Sequence, residues 1–180
     1  MVIFLHERSN IIPVHAESYF IVERNGKFNQ ILKYQYYDPE EYYYTLIHRP
    51  REYYKEIKRL YCVMNEVLKE ERVLINGKQV KLNVKLVNID FAGYVDQPYI
   101  LYYIKFKGPL RKGVNIFEDF YEETVAEYDY EVYWFFPERT KILEVYVDGD
   151  FDLVNSNKLF IWARKGDKIS GYEKIIFMLS

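Results

Sequence analysis

The carboxylates between Glu118 and Glu131 form the densest collection of potentially reactive groups in the chain: Glu118, Asp119, Glu122, Glu123, Glu127, Asp129 and Glu131. Carboxylates converging from different elements can ligate Ca²⁺ or Mg²⁺, or act as the acid and base of glycoside hydrolysis. Along one strand face, alternate residues sit roughly 6.5–7 Å apart, too far to share an ion without ligands from a neighbouring strand. The segment 99–107 offers a neighbour of opposite charge. An antiparallel register that sets Lys107 opposite Glu127 and Lys105 opposite Asp129 also sets Ile100 opposite Trp134 and Ile104 opposite Tyr130. Charge and apolar pattern agree, so the run reads as a solvated, ion-paired ladder, with no catalytic residue and no metal site assigned to it.

The histidines, His6, His15 and His48, have Glu7 and Glu17 near the first two, but their spacing matches no compact metal-ligand pattern. Cys62 is the single cysteine, which excludes an internal disulfide and a cysteine-rich zinc site; it falls at the edge of an apolar helical stripe as a small packing residue. There is no phosphate-binding glycine loop, no Gly-x-Ser-x-Gly and no Cys-x-x-Cys, so no cofactor is expected. Between Tyr102 and Gly113, rings alternate with Lys105, Lys107, Arg111 and Lys112, the ingredients of a single-stranded nucleic-acid surface. The same rings fit a core-facing strand and the same lysines fit the acidic ladder. That reading leaves only the basic turn Arg111-Lys112 free, and nucleic acid is not the expected partner.

Tyrosine occurs twenty times. It buries a large ring while keeping a hydroxyl that needs a partner or water, which suits half-buried sheet faces and interfaces. The stretch 36–54 holds more tyrosine than one small core can enclose. Tyr36, Tyr37, Tyr42, Tyr43 and Tyr44, with Arg49 and Arg51, have the composition of a protein interface, so this is the expected interaction surface. A homo-oligomer assembled through it is expected, and another protein partner would fit the same chemistry.

These groups are positioned by a chain of 180 residues, 49% hydrophobic and 29% charged, with a formal charge of −2 and a pI near 6.0. That balance describes a folded protein with no global attraction for nucleic acid or anionic lipid. No apolar run is long enough for a membrane helix, and Met1-Val2-Ile3-Phe4-Leu5 is too short and too soon charged for a signal peptide, so a cytoplasmic protein is expected. Abundant Lys, Arg and Glu with few Gln and one Cys resemble thermophile usage.

Residues 18–34 read as strand, Asn25-Gly26 turn and strand, with a two-residue type I′ connection. Asp38-Pro39-Glu40-Glu41 resembles a helix start with Asp38 as N-cap, predicting a short helix from Pro39 to about His48. After a break at Pro50, Tyr53, Ile57, Leu60, Tyr61, Met64, Val67 and Leu68 recur at three- and four-residue steps, the clearest helix in the chain. Beyond Asn76-Gly77 the period becomes two, with strands predicted at 80–91, 98–107, 125–136, 141–147, 158–164 and 172–179. A phase slip at Leu86-Val87 implies a bulge.

The pattern predicts a mainly β, α+β fold in one domain: an antiparallel β-sandwich or flattened barrel over 78–180, with an N-terminal hairpin and two helices (1–77) packed on it. The expected function is a non-catalytic binding or assembly protein. The alternatives are a hydrolase using convergent carboxylates in a sandwich cleft, or a single-strand nucleic-acid module. A pocket holding converging carboxyl groups would favour the hydrolase.

Overall fold

A computed structural model describes residues 10–180. His6, Glu7 and the opening apolar residues lie outside the described residues. In chain order the elements are β1 (Ile12–Val22), β2 (Lys27–Tyr37), α1 (Tyr42–Ile47), α2 (Pro50–Glu70), β3 (Arg72–Ile75), β4 (Lys78–Gln79), β5 (Asn83–Phe91), β6 (Pro98–Lys107), β7 (Gly113–Phe120), β8 (Thr124–Val125), β9 (Asp129–Phe135), β10 (Thr140–Tyr146), β11 (Asp150–Val154), β12 (Lys158–Ala163), β13 (Lys168–Ile169) and β14 (Tyr172–Leu179).

Seven strands form one sheet in the order β11-β12-β9-β1-β2-β6-β5, and five form another in the order β10-β14-β7-β3-β4; β13 and β8 make a small pair. The described residues therefore form a mainly β sandwich with two helices, and not a closed barrel. The N-terminal hairpin is not an addition to the sandwich: β1 and β2 lie inside the larger sheet, so residues 78–180 do not build it alone. Alternation fixes the faces. On β6, Ile100, Tyr102, Ile104 and Phe106 point into the core, and on β2 Phe28, Leu32, Tyr34 and Tyr36 do the same. The smaller sheet answers with Val73, Ile75, Phe117, Ile175 and Phe177. Rings bridge the layers, Phe117 against Trp134 at 4.7 Å and Phe136 against Phe177 at 4.6 Å between centroids.

The predicted pairing of 99–107 with 127–135 is overturned. β6 lies between β2 and β5, whereas β9 lies between β12 and, in parallel, β1; two strands separate the supposed partners. Lys107 stands opposite Lys27 and Lys105 opposite Asn29. Complementary side chains made that register possible, but β1 and β2 satisfy both strands' backbones and were equally suitable by pattern. The bulge in β5 is present, with Lys85 left out of the register between Val84 and Leu86.

The two Asn-Gly turns differ. Asn76 (φ 52°) and Gly77 (φ 74°) are both left-handed, the type I′ turn joining β3 to β4. At the first hairpin only Gly26 has positive φ (82°), and its N–H donates to Glu23 O at 3.0 Å, so the connection is a longer turn closed by a glycine bulge. Gly26 packs so close to Gly108 that a Cβ there would lie 2.2 Å from the Gly108 carbonyl oxygen.

The second helix forms as predicted, with Pro50 in its first turn and Leu60, Met64 and Leu68 buried; Ile57 and Val67 are half-buried beside them. The first helix starts later than expected. Glu41, at φ 51°, is the residue before α1, and its N–H closes a separate turn onto Asp38 O at 3.0 Å. Asp38 is therefore not the N-cap, although its Oδ2 accepts the Tyr43 N–H at 2.9 Å.

Candidate functional site

Two carboxyl groups on the smaller sheet, and a third from the residue that leads into it, turn inward. On β7 the alternation that buries Phe117 also points Asp119 toward the core, and on β14 Glu173 shares a face with buried Ile175 and Phe177. The register sets Asp119 directly opposite Glu173, and on its other side opposite Val73. Side chains so opposed have Cβ atoms about 4.5–5.5 Å apart. Glu71 ends α2 in extended backbone (φ −74°, ψ 140°), two residues before Val73 and in the same inward phase.

These groups line a cleft of about 120 Å³ between the sheets. The facing wall is Ser18 from β1, Gln30 and Tyr34 from β2, and Tyr128 and Tyr130 ahead of and on β9. Neither lysine, arginine nor histidine is among the described residues that line it. Burial raises all three carboxyls. Glu71 is pushed up to about 7 by burial, with Glu173 adding to the rise. Asp119 is held well above the usual carboxylate range by burial, then by Glu71 and Glu173. Glu173 is raised by burial, opposed by the Tyr121 hydroxyl, which donates to its Oε1 at 3.0 Å. Two carboxylates this close in a low-dielectric cleft cannot both hold full charge, so the cleft stores protons near neutral pH.

Among the described residues, two polar atoms in the cleft have no partner: the buried Oδ1 of Asp119 and the hydroxyl of Tyr128, a residue 6% exposed. A buried, unsatisfied polar atom costs roughly 1–3 kcal/mol, so two aimed into one cleft mark a place built for something that satisfies them. Burial also drives the Tyr34, Tyr121, Tyr128 and Tyr130 hydroxyls upward, so they remain protonated donors.

The acidic run is divided by this architecture. Asp119 faces the cleft, while Glu118 faces away and accepts from Tyr172 at 3.1 Å. Glu122, Glu123 and Glu127 are exposed. Asp129 is exposed on β9 and accepts the Lys165 N–H at 2.9 Å. The run spans several strands, so the single ladder predicted for it does not exist.

Of the predicted interaction surface, Tyr36 (2% exposed) and Tyr43 (0%) are core residues and cannot belong to it. Both belong to the main buried core cluster, and Tyr43 also donates to Glu56 Oε1 at 3.4 Å. Tyr37, Tyr44, Arg49 and Arg51 are exposed and Tyr42 half-buried. In the basic segment, Tyr102, Ile104 and Phe106 are buried, leaving Tyr103 as the outward ring near Lys105. Arg111 and Lys112 are exposed as expected. Cys62 is exposed on α2, and no helix among the described residues is long and apolar enough to cross a membrane.

The sequence reading missed Glu71 and Glu173 altogether and treated Asp119 as one of a solvated row. The available signal was phase: Asp119 follows Phe117 by two and Glu173 precedes Ile175 by two, so each carboxyl occupies an apolar slot.

No family model matches the chain, and none of the curated proteins does. Among solved structures, a proposed protease from Parabacteroides distasonis superposes with a TM-score of 0.36 at 8% identity. The match covers 95% of this chain and 41% of that one, so this chain spans less than half of that protein's length.

Proposed function

We propose that the protein is a non-catalytic binding protein whose inter-sheet cleft takes a small organic cation, an ammonium compound. The observation that carries this reading is a cleft lined by Glu71, Asp119 and Glu173, and also by Glu17, Glu127 and Glu131, with no basic side chain among its described lining residues. An ammonium group donates to carboxylates, satisfies the free Asp119 Oδ1 and lies against tyrosine rings, whose faces attract cations by about 0.5–2 kcal/mol each. Size limits the guest: drug-sized ligands need pockets of roughly 300–1,000 Å³, whereas this cleft measures about 120 Å³. A bare metal ion fits less well. Among the described residues, the group of ligands whose donor atoms all lie within 4.8 Å of one another is His15, Glu17 and Glu131, which includes none of Glu71, Asp119 and Glu173, so these three carboxyls suit a multi-atom cation.

The directly opposed Asp119 and Glu173 favour a second reading, hydrolysis by a carboxyl pair with one member protonated. The two separate experimentally. Thermal shift with a panel of small primary to quaternary amines and matched neutral alcohols should raise the Tm with amines alone, and Asp119→Asn should weaken the response. A guest at about 100 times its Kd stabilises by about 2.7 kcal/mol, well within reach of the assay. Stabilisation by neutral alcohols equal to that by amines would refute the cation reading, and turnover of glycosides or esters abolished by Asp119→Asn would establish the hydrolase.

A further inference from the structure

We infer that the outer face of the larger sheet carries a second site, formed by side chains of β1 and β9, of which Glu17 and Glu131 also border the cleft: His15, Glu17 and Glu131 bind one divalent transition-metal ion, Zn²⁺ being the best match. His15 and Glu17 are two apart on β1, and Glu131 stands beside Glu17 on the parallel neighbour β9. Strand alternation puts all three on the face opposite Ala16, Ser18 and Phe20, away from the core. The stacking of Tyr19 on Tyr133, centroids 4.8 Å apart, confirms that these positions share that face. One donor atom from each of the three residues lies within 4.8 Å of the other two.

That spacing is within a side-chain rotation of coordination, because first-row ions hold N and O ligands at roughly 2.0–2.2 Å. Two strands of one sheet supply the set, so the backbone needs no rearrangement. An imidazole with two carboxylates selects against Mg²⁺ and Ca²⁺, which take oxygen ligands, and leaves open positions typical of ions held by three protein ligands.

The existing contacts are compatible with metal. Lys33 Nζ pairs with Glu17 Oε2 at 3.1 Å, and the Tyr133 hydroxyl donates to Glu131 Oε2 at 2.6 Å. Each bond occupies one carboxylate oxygen and orients the other, the part that outer-sphere partners play in metal sites. Asp129, in register with His15, adds negative charge to the same face. Glu17 and Glu131, side by side on adjacent strands, repel each other, and Lys33 offsets only part of that charge; a divalent ion removes the remainder.

The test is calorimetric titration of ZnCl₂ into the whole protein, comparing wild type with His15→Ala, Glu131→Gln, His48→Ala and Asp119→Asn. The expected result is one Zn²⁺ per chain, with affinity falling at least 10–100-fold in His15→Ala and Glu131→Gln, since even outer-sphere changes cost that much. His48→Ala and Asp119→Asn should titrate like wild type. If His15→Ala does not fold, Co²⁺ added to wild type should shift the His15 ring protons in NMR spectra. No uptake by wild type, unchanged uptake by His15→Ala, unshifted His15 protons, or loss of uptake in Asp119→Asn would each overturn the assignment. The outcome is separate from that of the cleft, whose amine response does not involve His15.

Discussion

Glu71→Gln should make the protein more stable above neutral pH while leaving it unchanged in mild acid. Burial raises the Glu71 carboxyl from 4.5 to about 7. Between those values the folded state keeps a proton that the unfolded chain has released, so its contribution to stability is full below about pH 4.5 and is lost as pH rises through about 7. At about 1.4 kcal/mol per pH unit, the rise bounds the loss at about 3 kcal/mol, and solvent reaching this half-buried side chain lowers it to about 1–2 kcal/mol. Glutamine has the shape of the protonated acid and no charge to bury. Urea denaturation near pH 5 and near pH 8 should show similar midpoints for both proteins in acid and a higher midpoint for Glu71→Gln in base, by about 1–2 kcal/mol. A variant less stable than wild type near pH 8, or a wild type that gains as much as the variant on going from acid to base, would refute the reasoning. Asp119 and Glu173, also raised by burial, shift in the same direction, and Asp119 is raised further by Glu71, so the difference between the two proteins reports the loss of the Glu71 charge together with the relief of Asp119.

Leu60→Ala empties a fully buried position on α2 and should cost about 2–5 kcal/mol in denaturant titration; a loss below about 1 kcal/mol would mean the helix does not close the core. Gly26→Ala places a Cβ against the Gly108 carbonyl at a positive φ, and should lower stability by more than about 1 kcal/mol in the same assay, whereas an unchanged midpoint would show that the hairpin tip can move. Asp38→Ala removes the acceptor of the Tyr43 N–H and should cost about 0.5–2 kcal/mol, with a neutral result showing that α1 does not depend on it.

Local periodicity made much of this fold legible. The spacing of Leu60, Met64 and Leu68 identifies α2, the alternation of Ile100, Tyr102, Ile104 and Phe106 identifies β6, and the phase slip around Leu86 marks the bulge. What failed was pairing between distant segments. Lys105 and Lys107 complement Asp129 and Glu127 in charge, yet β1 and β2 intervene, because backbone pairing of whole strands outweighs exposed ion pairs worth about 0–1 kcal/mol. Strand β7 escaped notice because its inner positions, Asn115, Phe117 and Asp119, mix polar with apolar, so the period-two signal is diluted where the site is built. The cleft draws on Glu71, Asp119 and Glu173 from three separated segments, and in the tyrosine-rich stretch 36–54 Tyr36 and Tyr43 serve the core.

The claim that the cleft holds its carboxyls protonated until a cation arrives is tested most directly by proton release on binding. An organic ammonium compound selected by thermal shift is titrated calorimetrically near pH 6 in buffers of different ionisation enthalpy, into wild type and Glu71→Gln, at a pH where Glu71, at about 7, is largely protonated. Binding should expel protons into the buffer from wild type, and fewer from Glu71→Gln. Proton release that is absent, or unaltered by Glu71→Gln, would contradict the account.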